Sequence, residues 1–461
     1  MNNRRAFLVL FFSIIYVPVF TQNEQPQKLL ALLSEGRYFE SRDLYNEIHN
    51  TLDFDEESYY KYWMCKFMNK KDSAAICLEK ILEDYPEFVG NGAMSIYIEL
   101  FNIYTDLKNK EKGVYTYERV MEYLKDNPYG ISEEHITVLK KETEEHFSYF
   151  KQLMNEPTVK LRRKKTGDSL KIEGKDKLWL NAKFNGVVHK AIFDTREGAY
   201  CTMSRNCAEK IGIKYDTSKV FKKPFNNTDI QISQVIMDSI AIGDIVLYNI
   251  PIQLLHHDIN PYLPDSTKND STKMEHFDSA KKEIDSPLLG LPIMQLIGTF
   301  LIDYEKKMLF FPDVNTKTSD EPNVFFYNDR LYTHMKLNTK EFTGLLDTGN
   351  RDYLEIDSVF YEKYKHDISI DTLMAKESYN FAMLHHTWVD VPHQITDKLE
   401  ITFDNNQIPT PANDKNQIRI YSMQPVWSMK IFDGVVGYDF FKRIGKKVLL
   451  DLNNMRLEAI E

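Results

Sequence analysis

Two short stretches of this chain carry residues that could do chemistry together. Phe342-Thr343-Gly344-Leu345-Leu346 is an apolar strand that runs straight into Asp347, Thr348 and Gly349. The apolar lead-in buries the strand, the carboxylate sits at a tight turn, and glycine lets backbone and ligand approach with no Cβ between them. A second copy lies earlier, where Ala191-Ile192-Phe193 leads into Asp194, Thr195 and Arg196. Two carboxylates brought too close for both to ionise hold one proton between them and can position a water for attack on a carbonyl. Asp194 and Asp347 are the candidates for that work.

The elements that must position them are duplicated as well. Leu288 to Met294 precedes the run Phe300 to Phe311, and Val435 to Phe441 stands in the same relative place before Val448 to Leu457. One unit is therefore used twice, which is first of all a statement about fold. From Leu178 the apolar period alternates, and Leu178 to Val188 reads as two strands around an Asn185-Gly186 turn. Ser204 to Ile213 is expected to form a short helix and Val235 to Leu254 further strands. Asp258 to Ser286 is a polar insertion. In the second copy, Leu331 to Asn338 is the strand that leads to Asp347, and Ser358 to Tyr364 mirrors the helix. Tyr379 to Pro392 is a candidate flap.

On these residues, about Leu178 to Glu461 resembles the retropepsin-like and pepsin-like aspartic peptidases, in the form where two similar lobes sit on one chain. The resemblance implies an all-β bilobal fold with pseudo-twofold symmetry, each lobe a small closed barrel that supplies one Asp-Thr-Gly loop. It further implies that Thr195 and Thr348 brace the loops against each other and that Gly349 keeps its loop open to a peptide or protein substrate between the lobes. Arg196 stands where the family pattern has glycine. A guanidinium is always charged, and beside the dyad it favours ionisation of both carboxylates, so that the shared proton becomes scarce near neutral pH. Glu197 is placed to draw it away.

The rest of the chain is a different kind of sequence, so the whole is multidomain. Residues 1–21, with Arg4 and Arg5 ahead of an apolar run, read as a signal peptide, shorter than the about 20 apolar residues of a membrane span. The mature chain is then expected to be exported, periplasmic or extracellular, with no membrane span. Residues 22–156 read as an all-α helical-repeat domain. Gly36-Arg37-Tyr38 and Asn69-Lys70-Lys71 break helical spacing at matching places, and the segment resembles tetratricopeptide-type helix pairs of about 34 residues. Its tyrosines and Trp63 fit either a core or a surface for a protein partner. Residues 157–177 are expected to be a basic linker, 178–311 the first lobe, 312–323 a connection and 324–461 the second lobe.

Hydrophobic residues at 43% and charged ones at 27% suit a globular chain, and a net charge of −10 is a poor match for nucleic acid. No Cys-x-x-Cys, His-Glu-x-x-His or glycine-rich phosphate loop occurs, so neither a metal nor a cofactor is expected. Cys65, Cys77, Cys201 and Cys207 permit disulfides in an exported chain, Cys65 with Cys77 and Cys201 with Cys207 being conceivable pairs; buried free thiols are as well supported. Two functions remain open: an exported aspartic-type endopeptidase, or a non-catalytic peptide binder with a helical partner-interaction domain.

Overall fold

The structure is a computed structural model and describes residues 24–84, 92–126, 131–163, 168–216, 220–225, 228–256, 285–312, 321–368, 376–381, 388–396, 399–410, 418–421 and 432–460. The expected signal peptide lies outside the described residues, as do most of the insertion at 258–286 and of the connection at 312–323. The chain divides into two compact units, Met1–Thr158 and Val159–Glu461. Among the described residues no helix is long and apolar enough to cross a membrane.

The first unit is helical. Glu24–Ser34 is followed by Tyr38–Ile48, Phe54–Phe67 by Lys71–Asp84, and Ala93–Asp106 by Lys110–Asp126; the longer Glu133–Asn155 comes last. The first helix of each pair ends in the same way. Gly36, Asn69 and Lys108 turn left-handed at φ 74°, 54° and 51°, and the N–H groups of Arg37, Lys70 and Asn109 each donate at 2.9 Å to Leu32, Cys65 and Tyr104. Such a turn satisfies carbonyls that a helix end leaves open, and glycine or asparagine adopts it at least cost. The aromatic residues of this unit are mostly core: Tyr62, Tyr97 and Tyr104 are buried with Leu78, Ile81, Leu100 and Leu124. Their hydroxyls are spoken for, since Tyr62 donates to Glu99 and the buried Tyr60 to the Pro26 carbonyl, both at 2.8 Å.

The second unit is built from three sheets. In the first, Val187–Asp194 lies antiparallel to Trp179–Phe184 and parallel to Leu288–Gly290, with Asp194 level with Gly290. The second sheet uses the same arrangement: Lys340–Asp347 is antiparallel to Arg330–Leu337 and parallel to Gly434–Gly437, with Asp347 level with Gly437. Consecutive residues of these central strands are buried, so both faces are covered where the chain runs into each aspartate, and the runs there are continuously apolar rather than alternating. Ile192, Phe193, Leu345 and Leu346 are almost wholly buried. Asn185 and Gly186, at φ 47° and 87°, form the tight hairpin turn that their types predict.

The first sheet closes on itself, because Thr228–Ile242 pairs with both Trp179–Phe184 and Ile245–Leu255. The second stays open among the described residues, contrary to the closed barrel expected for each lobe. There Ile401–Phe403 pairs with Arg330–Leu337 while Trp388–Thr396 pairs with Ile418–Tyr421, and no pairing joins the two ends. Lys376–Phe381 and Trp388–Thr396 form a hairpin where a flap was expected, and its tip lies outside the described residues. The third sheet joins the halves: Thr299–Asp303 pairs antiparallel with Lys447–Asp451.

Part of the expected linker is instead sheet. Lys160–Arg163 pairs with Ile245–Leu255, and Asp168–Lys171 with Met308–Phe311. Both are outer strands of their sheets, where lysine and arginine are tolerated because their side chains reach water. Arg163 adds a local reason, donating to the Pro312 carbonyl at 3.1 Å and to the Ile297 carbonyl at 2.5 Å. The basic run is an edge that ties down loop ends.

Candidate active site

The two Asp-Thr loops meet through a reciprocal set of hydrogen bonds. The Thr195 N–H donates to Thr348 Oγ1 at 3.0 Å, and the Thr348 N–H donates to Thr195 Oγ1 at 3.0 Å. Each hydroxyl then donates across the interface, Thr195 to the Leu346 carbonyl at 2.8 Å and Thr348 to the Phe193 carbonyl at 2.7 Å. Both threonines are fully buried. A hydroxyl can accept and donate at once, so one threonine satisfies two backbone groups of the other loop. Valine would have the same shape and neither function.

Each aspartate is fixed by its own turn. The Arg196 N–H donates to Asp194 Oδ1 at 2.8 Å, and the Gly349 N–H donates to Asp347 Oδ1 at 3.0 Å. The glycine of the parallel strand closes the support from behind. A Cβ on Gly290 would lie 2.0 Å from the Ala199 carbonyl oxygen, and one on Gly437 1.9 Å from that of Asp352. Only a residue without a side chain lets those backbones approach so closely. Gly349 serves the site directly, since a Cβ there would lie 2.4 Å from Asp194 Oδ2. The Asp194 carboxylate therefore rests against the backbone of the opposite loop.

Position 196, the counterpart of Gly349, carries a long cation in place of open space. Arg196 Nη1 donates to Asp347 Oδ2 at 3.1 Å, reaching the aspartate of the other loop. Burial works against the guanidinium charge, but Asp347, by charge and hydrogen bond, together with Glu355 and Asp194, raises its pKa. Glu197 accepts the Ala199 N–H at 2.8 Å.

Asp194 keeps part of its surface open yet sits among tightly packed atoms. Burial first, and then the charge of Asp347, push its pKa up to about 7; the Arg196 N–H and guanidinium oppose the rise. Arg196 acts in the expected direction, favouring the ionised form of Asp194, but burial of Asp194 outweighs it and favours a proton there.

Sequence reasoning missed three neighbours. Glu355, buried and bonded by Asn350 Nδ2 at 2.9 Å, is pushed up to about 7 by burial and then by Asp352. Asp352 is in turn paired with Arg419 at 2.9 Å. Arg330 begins the strand beside Lys340–Asp347, two residues before Tyr332, which pairs with Leu345, and is near enough to Asp347 and Arg196 for their charges to act on it. A signal for it was present, because Lys177 precedes Asp194 by the same distance. All four cysteines are free thiols, with Cys201 and Cys207 buried.

No family model matches the chain, and no curated protein does. Among solved structures, the chain is similar to the crystal structure of a retropepsin-like aspartic protease from Rickettsia conorii. The identity is 19%, over 33% of this chain and 90% of that one, with a TM-score of 0.21. A likeness this loose carries no argument by itself. The functional reading rests on the hydrogen bonds and charges of the two loops.

Proposed function

We propose that the second unit is an aspartic-type peptide hydrolase of the retropepsin-like and pepsin-like kind, with two lobes related by a pseudo-twofold axis and Asp194 and Asp347 as its dyad. The observation that carries this reading is the reciprocal bonding of Thr195 and Thr348, which locks two aspartate-bearing turns together at the ends of buried strands. A purely structural aspartate has no need of a partner loop built in the same way. In the reaction, water adds to the peptide carbonyl carbon while its proton passes to the ionised Asp347. The proton of Asp194 passes to the carbonyl oxygen; in the collapse that follows the C–N bond breaks, Asp347 gives its proton to the leaving nitrogen and a hydroxyl of the tetrahedral carbon returns one to Asp194, leaving acid and amine. Arg196 must leave Asp347 Oδ2 for that oxygen to act as base.

The test is cleavage of a randomised peptide mixture, read by mass spectrometry, for the wild type, Asp194→Asn and Asp347→Asn. Cleavage by the wild type that both variants lack is expected. Cleavage that survives in either variant would remove the dyad. A second reading has its own observation, since the Arg196–Asp347 ion pair occupies the base. On that reading the unit binds peptides without cutting them, and measurable peptide affinity with no cleavage in the wild type would select it. The same proposal includes export of the chain and a tetratricopeptide-like first unit that docks a protein partner.

A further inference from the structure

Two arginines converge on Asp347, and only one of them is matched by it. Arg196 donates to Asp347 Oδ2 at 3.1 Å. Arg330 begins the neighbouring strand, near enough to Asp347 and Arg196 for their charges to act on it, and its Nη1, shielded from solvent, finds no acceptor among the described residues. Tyr332, two residues on and therefore on the same face of the strand, holds a buried hydroxyl that is also without a partner. A buried donor left unfilled costs free energy, and more so on a charged group, so such donors mark where a ligand acceptor is favoured. Burial first, and then the neighbouring Arg196 charge, lower the pKa of Arg330. Asp329 and Asp347 act the other way without filling Nη1.

We propose that Arg330 and Arg196 form a receptor for a carboxylate of the peptide ligand, and that this carboxylate draws Arg196 away from Asp347. The inference rests on the peptide-binding reading above and adds a substrate class: peptides with an acidic side chain, or a free C-terminus, at one position. Guanidinium groups suit this because their planar fork matches a carboxylate bidentately. Until such a ligand arrives, Arg196 covers the base. With it bound, Asp347 Oδ2 is free to accept the proton of water.

The test uses the full chain carrying Asp194→Asn, so that bound peptides stay intact, and a randomised octapeptide library blocked at both ends. Captured peptides are sequenced by mass spectrometry. Enrichment of Asp and Glu over Asn and Gln by about tenfold or more at one position is expected, the scale of a charge-assisted hydrogen bond. Adding Arg330→Met should bring the ratio to about one without lowering the melting temperature, because it removes a buried unfilled donor, while Arg330→Lys, which keeps a cation, should retain part of it. A second library with free C-termini separates the two sources: capture of those peptides without acidic enrichment, where the blocked library is not captured, assigns the site to the terminal carboxylate. No acidic enrichment in the blocked library together with no preferred capture of the free-C-terminus library, or a preference that survives Arg330→Met, overturns the inference. The outcomes are distinct from those of the hydrolase test. Acidic enrichment in a chain that cleaves nothing supports the receptor and removes the hydrolase, whereas wild-type cleavage without acidic preference overturns the receptor alone.

Discussion

Thr195→Val isolates the contact that holds the two loops together. The substitution keeps the shape of the side chain and removes the oxygen that accepts the Thr348 N–H at 3.0 Å and donates to the Leu346 carbonyl at 2.8 Å. Both threonines are fully buried, so water cannot take over those bonds. An orphaned buried donor costs about 1–3 kcal/mol, which corresponds to a roughly 5- to 150-fold change in the equilibrium for local opening. The Leu346 carbonyl adds to this. Hydrogen exchange followed by mass spectrometry on peptides spanning 340–350 should therefore show faster exchange in the variant by about that factor. Thr195→Ser keeps the hydroxyl and loses one methyl, a change of about 1 kcal/mol that leaves the Thr348 N–H protected. The reciprocal variant, Thr348→Val, should speed exchange around 193–196 in the same way, because the arrangement is symmetric in its bonds. If Thr195→Val exchanged no faster than Thr195→Ser, the hydrogen bonds would not be what joins the loops, and the argument for a dyad would lose its support.

Other outcomes follow from the same geometry. Asp194 has a pKa raised to about 7, so the dyad keeps its proton below that value and peptide hydrolysis should fall as pH rises through about 7. The stability held by that proton is complete below the ordinary carboxylate range and is lost as pH rises through about 7. Arg196→Gly removes a cation that favours ionised Asp194, so the falling limb should move to higher pH and the rate should rise as Asp347 is uncovered; Asp347→Asn in the same chain should abolish the gain. On peptides blocked at both ends and without an acidic residue, a pH–rate profile in which Arg196→Gly loses activity would mean that the arginine does not cover the base. Gly437→Ala would set a Cβ 1.9 Å from the Asp352 carbonyl oxygen and should lower the melting temperature, by an overpacking cost of about 1–3 kcal/mol; an unchanged melt would mean the strands part easily. In the helical unit, Cys65 has a pKa lowered to about 7, first by a hydrogen bond with Cys77, and is less buried than the other three thiols. Iodoacetamide at pH 7 should label it first, and faster labelling of Cys207, which burial pushes up to about 12, would contradict this.

The features that can be read from the chain alone are local. Apolar runs such as Ala191 to Phe193 and Gly344 to Leu346 announce buried strands, Asn185-Gly186 announces a hairpin, and Gly36 and Asn69 announce helix ends, because backbone preference and apolar period act over a few residues. That Thr195 and Thr348 brace the two loops was implied by the resemblance to two-lobed aspartic peptidases, and not by the residues around either threonine. The tertiary structure decided the rest. Nothing near Arg196 in the chain says that its guanidinium reaches Asp347 instead of Glu197, and nothing near Asp194 says that it is desolvated enough to keep its proton near pH 7. Lys160–Arg163 shows the same limit, a run whose charges suit a solvated linker yet whose backbone completes a sheet edge against Ile245–Leu255. Side-chain direction and desolvation are set by groups brought together from more than 150 residues apart. The period of a sequence carries no record of those distances.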